Sequence, residues 1–472
     1  MTRFCFLLLM ALLTACSVGP RYVEIEPAVP VAFATKPVTA TVSTVDADWW
    51  RLFRDAALDD LIARAETQNR DLRIAEARLL EARSLWTAAR FDLAPIATGR
   101  AGYTNLQTSG SRTASDTGRN YDLHEVGLDA TWELDLFGRV RHSIKAARAT
   151  EEAVAAERDA LLIALRAEVA VNYLLLRGAQ AQLDVAQRNA ENQAESLRIA
   201  EASLEGGRGN QLDVARAKAQ WNATRATVPQ FQIDIDKSAH RIAVLCGAAP
   251  SEFREGLRQR GAMPRTPAKV ALSDPTAVLR GRPDIRVAER NLAAATARVG
   301  VATADLFPRV TFNGSFGWEA GSLGDLGGSG SSVHSFGPSL TWAAFDLARV
   351  KQLLKAAGAR ANAALSNYEQ SVLLALEEAE NALTEYDRET VRLRYLRAAA
   401  SSAEEAARLA RQRYRDGVSD FLDVLDAERV ALAAQSDAVA SETRAAVAWV
   451  AVYKAMGGGW EWTGNPKDPS AR

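Results

Sequence analysis

Cysteine, histidine and clustered carboxylates are the side chains from which catalytic and metal sites are usually built, and this sequence places them sparsely. Three cysteines occur in 472 residues, Cys5, Cys16 and Cys246, and no two have the spacing of a metal knot or redox pair. The four histidines, His124, His142, His240 and His334, have no histidine or cysteine three or four residues away. That is the pattern of packing or surface histidines. No Gly-rich phosphate loop and no nucleophile elbow occurs. Carboxylates are plentiful, but they are spread along helical faces, which usually means solvent. Two groups stand out. Asp423 and Asp426 are three apart and share one helical face; by themselves they read as a solvated helix start, where the dipole favours Asp. Asp129, Glu133 and Asp135 alternate along what reads as a strand, on its polar face. Neither group forms a reacting constellation, so the expectation is no enzyme, no cofactor and no metal. Lys+Arg 57 against Asp+Glu 58 also argues against a nucleic-acid partner, which usually demands a basic excess.

Cys16 is set up for chemistry of another kind. Arg3 precedes an apolar run from Phe4 to Leu13, followed by the small-residue site Thr14-Ala15. Leu13-Thr14-Ala15-Cys16 is similar to the bacterial lipoprotein box, in which the cysteine is acylated and becomes the first mature residue. Ser17 follows where, in that class, Asp tends to retain a protein at the inner membrane. Each buried CH₂ of an acyl chain is worth roughly 0.8 kcal/mol, and firm anchoring takes more than one chain; the triacyl anchor implied by the resemblance meets that condition. After the signal, no uninterrupted apolar run reaches about 18 residues. A bilayer crossing would therefore have to be a closed β-barrel, in which every backbone group is paired.

Two halves of the chain match at a spacing of 210 to 213 residues. Asp71-Leu72-Arg73-Ile74-Ala75-Glu76 matches Asp284-Ile285-Arg286-Val287-Ala288-Glu289, and Asp92-Leu93-Ala94-Pro95 matches Asp305-Leu306-Phe307-Pro308. Thr131-Trp132 pairs with Thr341-Trp342, Arg139-Val140 with Arg349-Val350, and Leu212-Asp213-Val214 with Leu422-Asp423-Val424. The order predicted for each copy is helix, strand, loop, strand, long helix, turn, helix.

The strands alternate. Val310, Phe312, Phe316 and Trp318 fall on one face, with Thr311, Asn313 and Ser315 on the other. Val126, Leu128, Ala130, Trp132, Leu134 and Leu136 face away from Gly127, Asp129, Thr131, Glu133 and Asp135. Period-2 alternation with terminal aromatics is the pattern of a membrane barrel strand. Less regular strands are expected near Ile96–Leu106 and Ser335–Phe345, with Pro338 near a strand start or a bulge. Thr108–Asp116 and Gly327–Ser332 are polar, Gly/Ser-rich and read as exposed loops.

Apolar residues make up 48% of the chain but aromatics only 7%; Ala supplies much of the difference and suits closely packed helices. Arg139 to about Leu204 has no proline, and as one helix would be on the order of 100 Å long. Arg349 to about Asp416 is similar, and glycines end both runs: Gly206, Gly207, Gly209 and Gly417. Return helices follow over Gln211–Cys246, where Pro229 should introduce a kink, and Asp420–Met456. The shorter helices near Leu72–Leu93 and Ile285–Leu306 are expected to stack end to end on these, as a coiled-coil wall. Four strands cannot close a barrel, since the smallest membrane barrels have eight, so the strands need partners from identical chains. Two or three copies satisfy the count; three would leave room for a pore.

In order along the chain, these features resemble the TolC-like outer-membrane factors, within them the NodT or OprM-like lipoproteins. The residues carrying the resemblance include Gly19-Pro20-Arg21-Tyr22, Trp49-Trp50 with Phe53, Trp132 to Arg139, Leu279 to Ile285, Leu422 to Ala427, and Tyr453 to Trp460. Gly281 stands where the family commonly has Arg, and Ile25 where it usually has Pro. The resemblance implies a mainly α fold with a membrane β-sheet: a homotrimer with one 12-stranded barrel and a periplasmic α-helical tunnel. It implies a passive exit duct for small molecules in the cell outer membrane, partnered by a periplasmic adaptor and an inner-membrane pump, usually of the resistance–nodulation–division type. It also implies a periplasmic gate in which Asp423 and Asp426 form acidic rings and Tyr414 helps to hold the closed state; Ser419 occupies the position of the tyrosine's arginine partner. Asp213 is the first-half counterpart of Asp423. Asp129, Glu133 and Asp135 are expected to line the barrel or its mouth and to favour cations. A type I secretion duct and a lipid-anchored periplasmic coiled coil that forms no channel are the alternatives. The expected organisation is a signal peptide over 1–15, a lipidated extended segment over 16–57, a first repeat over 58–246 with its hairpin near 96–136, a linker over 247–283, a second repeat over 284–456 with its hairpin near 310–345, and a tail over 457–472.

Overall fold

A computed structural model of the chain describes residues 17–25, 29–37, 40–42, 46–107, 120–252, 254–272 and 274–460. The signal segment, Cys16 and the first Gly/Ser loop lie outside the described residues. In chain order the principal elements are α1 (Arg70–Phe91), β1 (Ile96–Gln107), β2 (Asn120–Leu134), α2 (Arg139–Glu205), α3 (Gln211–Leu245), α4 (Pro283–Ala304), β3 (Arg309–Ala320), β4 (Ser332–Thr341), α5 (Leu347–Arg415) and α6 (Phe421–Ala455). The second five repeat the order of the first five. No described helix is long and apolar enough to cross a membrane. Contacts divide the chain into two units that cut across the repeats: Met1–Glu26, Ala77–Ala155 and Val287–Glu369 in one, and Pro27–Glu76, Ala156–Arg286 and Gln370–Arg472 in the other.

The first unit holds a four-stranded antiparallel sheet in the order β1-β2-β3-β4, with the two hairpins joined by pairing from Leu134↔Val310 to His124↔Ala320. Register places Trp132, Phe312 and Pro338 in one cross-strand row, and Leu128, Phe316 and His334 in another. This face is apolar, yet Leu128, Phe336 and Leu340 are 61%, 68% and 64% exposed. A soluble sheet would bury such a face. Trp132 donates its indole N–H to the Leu93 carbonyl (2.9 Å) and Trp342 donates to Leu306 (3.1 Å), so the two repeats pin their strand ends in the same way.

Two expectations for the strands need correction. Pro338 lies inside β4, opposite Phe312, and not at a start or bulge; β4 is an edge of the chain's sheet, where a missing N–H is tolerated. β2 ends at Leu134, so Asp135 does not share the strand's polar face. Its carboxylate instead accepts from the Val140 and Arg141 amides (3.0 and 2.9 Å) at the start of α2, where the helix leaves donors unpaired.

In the second unit the long α2 packs against α6 through a polar seam. Gln182 meets Ser436, Asn189 meets Gln435 (2.7 Å) and Ser196 meets Glu428 (2.7 Å). The α2 positions recur every seven residues, the coiled-coil period, and the α6 positions descend, so the helices run antiparallel. Helix α3 continues through Pro229 as a single element. Trp49, Trp50, Phe53, Tyr173, Trp449 and Tyr453 form a buried aromatic core, with Trp449 stacked on Tyr453 at 4.1 Å. Residues 40–42 pair in parallel with 270–272 beside it.

The end-to-end stacking expected of the helices is made by two equivalent junctions. Buried Asn69 donates to the Leu245 carbonyl at the end of α3 (2.9 Å) while accepting from the Leu72 amide at the start of α1 (2.9 Å). Arg282, just before α4, donates to the Ala455 carbonyl at the end of α6 (2.7 Å). Each junction is so tight that only glycine fits beside it. Gly247 and Gly457 have φ of +69° and +86°, and a Cβ would lie 2.1 Å from the Gln68 carbonyl oxygen and 2.0 Å from that of Gly281.

Candidate functional site

The gate residues expected from sequence sit at the turn between α5 and α6. Phe421 and Val424 are buried and hold the first turn of α6 against Leu197, Ala200 and Ala217. Asp423 and Asp426 therefore fall on the outward face of the helix, and both are exposed. Asp426 pairs with Arg429 at 2.7 Å. Tyr414 is half-buried and packs its ring against Phe421, with centroids 5.1 Å apart. The Ser419 hydroxyl is enclosed and makes no hydrogen bond among the described residues. An open groove of about 470 Å³ lies between α3 and α6, lined by Arg216, Gln220, Leu422, Leu425, Asp426 and Arg429. The carboxylates, tyrosine and serine expected at a gate are thus brought to one turn of the chain. Asp213, by contrast, is tied down: Asn210 accepts from its amide and donates to its carboxylate, both at 2.9 Å.

Behind this turn lies a carboxylate that sequence reasoning missed. Glu428 is only 3% exposed, and its Oε2 has no hydrogen-bond partner among the described residues. Burial pushes its pKa up, against the opposing pull of the Ser196 hydroxyl and the Arg411 guanidinium. Gln193, one turn from Ser196 on α2, also has both side-chain polar atoms enclosed without partners among the described residues. The signal in the sequence was faint, since Glu428 lies two residues beyond Asp426 on an ordinary-looking charged helix.

Of the three acids expected to line the sheet, Asp129 and Glu133 lie on its polar face and each meets an arginine. Asp129 accepts from Arg100 at 2.9 Å, and Glu133 takes both nitrogens of the Arg139 fork at 2.7 and 2.5 Å. Asp135 pairs with Arg141 at 2.9 Å in addition to holding the start of α2. All three carboxylates thus face guanidinium groups.

The residues that follow Cys16 are held by packed groups. Ser17 and the Val18 carbonyl meet His142 Nε2 at 3.0 and 2.9 Å. Tyr22 donates to Glu289, and Tyr368 donates to the Ile25 carbonyl at 3.0 Å. His142, read from sequence as an ordinary histidine, is a clamp for this segment. Cys246 is buried against the Leu61 carbonyl, and burial pushes its thiol up to about 11, which leaves it inert at neutral pH. Among the described residues, no group of three His, Cys, Asp or Glu is placed to hold a metal ion.

Twice along the chain, a hairpin of the exposed apolar sheet is followed by a long helix, a glycine turn and a return helix. The chain belongs to the outer membrane efflux protein family, whose model matches residues 61–248 and 275–458. Each segment takes in most or all of one repeat and runs slightly beyond it. The chain is 31% identical to a Nodulation protein T of Rhizobium leguminosarum bv. trifolii over 96% of both chains. It is 30% identical to the toluene efflux pump outer membrane protein TtgI of Pseudomonas putida, over 98% of both. The solved outer-membrane channel OprN superposes with a TM-score of 0.88 at 43% identity, covering 94% of this chain and all of that one. The resemblance to TolC-like outer-membrane factors is therefore a family membership, and the protein is an efflux channel protein of the outer membrane.

Proposed function

We propose that three copies of this chain close a 12-stranded barrel in the outer membrane, continued by a periplasmic helical tunnel, and that the assembly is a passive exit duct for small molecules. The supporting observation is the sheet: its apolar face is exposed while β1 and β4 stand at its edges, which lipid does not tolerate unless copies pair edge to edge. A periplasmic adaptor and an inner-membrane pump, of the resistance–nodulation–division type, deliver the cargo. The names of relatives, a toluene efflux pump component among them, favour small-molecule efflux over protein secretion. Acylated Cys16 anchors the chain, and His142 and Tyr22 hold the residues that follow it. Asp423 and Asp426 form acidic rings at the periplasmic gate, with Tyr414 beside them, and Asp129, Glu133 and Asp135 contribute charge at the barrel wall and its mouth. The native mass of the particle extracted from outer membranes in detergent tests this reading. Three chains per particle are expected; a stable monomer, or absence from the outer membrane, overturns the barrel and favours an anchored coiled coil.

A further inference from the structure

Arg100 stands in the middle of β1 on the polar face of the sheet, in a cross-strand row that reads Arg100, Gly127, Gly317, Val333. The two glycines form a floor without side chains. The backbones approach so closely there that a Cβ at Gly317 would lie 2.5 Å from the Val126 carbonyl oxygen, and one at Gly127 would lie 2.9 Å from that of Phe316. The Arg100 side chain lies along this floor, 3.6 Å from where a Gly127 Cβ would be. With neighbouring strands about 4.8 Å apart, only a long side chain crosses from β1 towards β3. The guanidinium lies 2.9 Å from Asp129, 3.7 Å from Glu125 and 3.8 Å from Glu319. Its Nε is shut off from solvent and makes no hydrogen bond among the described residues. One cation is thus held among three carboxylates in the flanking rows, and among the described residues none of the three makes a closer ion pair with another cation.

We infer that Arg100 is a specificity-determining residue of the duct, holding down the cation preference of an acidic belt formed by Glu125, Asp129 and Glu319 on the barrel wall. This rests on the reading that the polar face lines a closed barrel. In a trimer the belt carries nine carboxylates and three guanidiniums. Arginine keeps its proton at every physiological pH, so the offset is permanent. Loss of the guanidinium uncovers the belt, and a charged solute passing it experiences a more negative wall.

Thiol labelling from outside the cell tests this without depending on the periplasmic gate. Ser315 faces Asp129 across β2 and β3, next to the Arg100 row. In a Ser315→Cys protein in intact outer membranes, the rates of modification by a cationic and an anionic methanethiosulfonate reagent are compared. Cys246 is buried and contributes little background. Adding Arg100→Gln is expected to raise the cation-to-anion rate ratio about three- to tenfold at low salt, with the change shrinking as salt is added. Arg100→Lys keeps the charge and should return the ratio close to its starting value, which separates charge from folding damage. An unchanged ratio in Arg100→Gln, with Ser315→Cys labelled normally, overturns the assignment alone. If Ser315→Cys reacts with neither reagent while the particle is a trimer, the polar face does not line an open lumen and the assignment falls with that reading.

Discussion

At the junction of α3 with α1 the buried donor to the last helical carbonyl is a neutral amide, Asn69, whereas at the equivalent junction of α6 with α4 it is a guanidinium, Arg282. The glycine turns are the same in both, and the backbones meet equally closely. The side-chain chemistry has diverged. Asn69 satisfies its polar atoms within the two helices that it joins. A buried guanidinium cannot, and Arg282 recruits Asp284 at 2.7 Å and, from α5, Glu378 at 2.6 Å. Burial alone would raise the pKa of Glu378, but the hydrogen bond and charge of Arg282, with those of Lys454, hold it below the usual range. A duplicated backbone thus preserves the junction, while the second copy binds a third helix into it.

The largest effect that would test this contrast is Arg282→Ala. It leaves the Ala455 carbonyl without its donor and Asp284 without its cation, and leaves Glu378 with Lys454 alone. Removing one member of a buried charged cluster costs about 3–5 kcal/mol, and the partial exposure of Asp284 and Glu378 points to the low end. Asn69→Ala removes a neutral cap and one buried donor, for about 1–2 kcal/mol. Thermal midpoints of the detergent-extracted particle should fall in that order; equal losses would mean that the charge adds nothing to the second junction.

A smaller effect, about 1 kcal/mol for a buried polar atom left without a partner, is expected at Glu428. Its folded pKa is raised, so its contribution to stability is greatest below the unfolded carboxylate value and is lost as pH rises through the folded value. Glu428→Gln should therefore stabilise the particle at neutral pH and converge with wild type as the medium becomes acidic. A stability gap of one size at every pH would show that the protonation of Glu428 is not linked to folding.

The two inter-helix turns extend the comparison. The first is closed by the reciprocal bonds of Asn210 and Asp213, while in the second Asp420 precedes α6 without a side-chain cap and Asp423 is exposed. Joint replacement of Asp423 and Asp426 by Asn should lower cation selectivity in single-channel recordings by a few-fold. Asp213→Asn should leave it unchanged. A comparable shift from Asp213 would place both turns at the gate and erase the distinction.

Much of the architecture was legible because it is periodic and repeated. Strand alternation and the glycine stops at the ends of the long helices are local patterns, and each needs only neighbouring residues to be seen. The helix expected from Arg139 runs from Arg139 to Glu205, and the strand expected from Val310 starts one residue earlier, at Arg309. Asp135 was misplaced by the same logic, since alternation continued past the point where the backbone turned to begin a helix. Arg100 was passed over because its three carboxylates come from β1's neighbour and from β3, and they meet only after the strands find their register.

The four strands of the large sheet, their apolar face and the duplication followed from the order of residue types, because hydrophobic period is a property of the chain read in one dimension; the short pairing of residues 40–42 with 270–272 did not. The pairing of Arg282 with Glu378, the enclosure of Glu428 and the glycine floor beneath Arg100 depended on tertiary structure, because a charge is buried or paired only by what packs beside it from elsewhere in the chain.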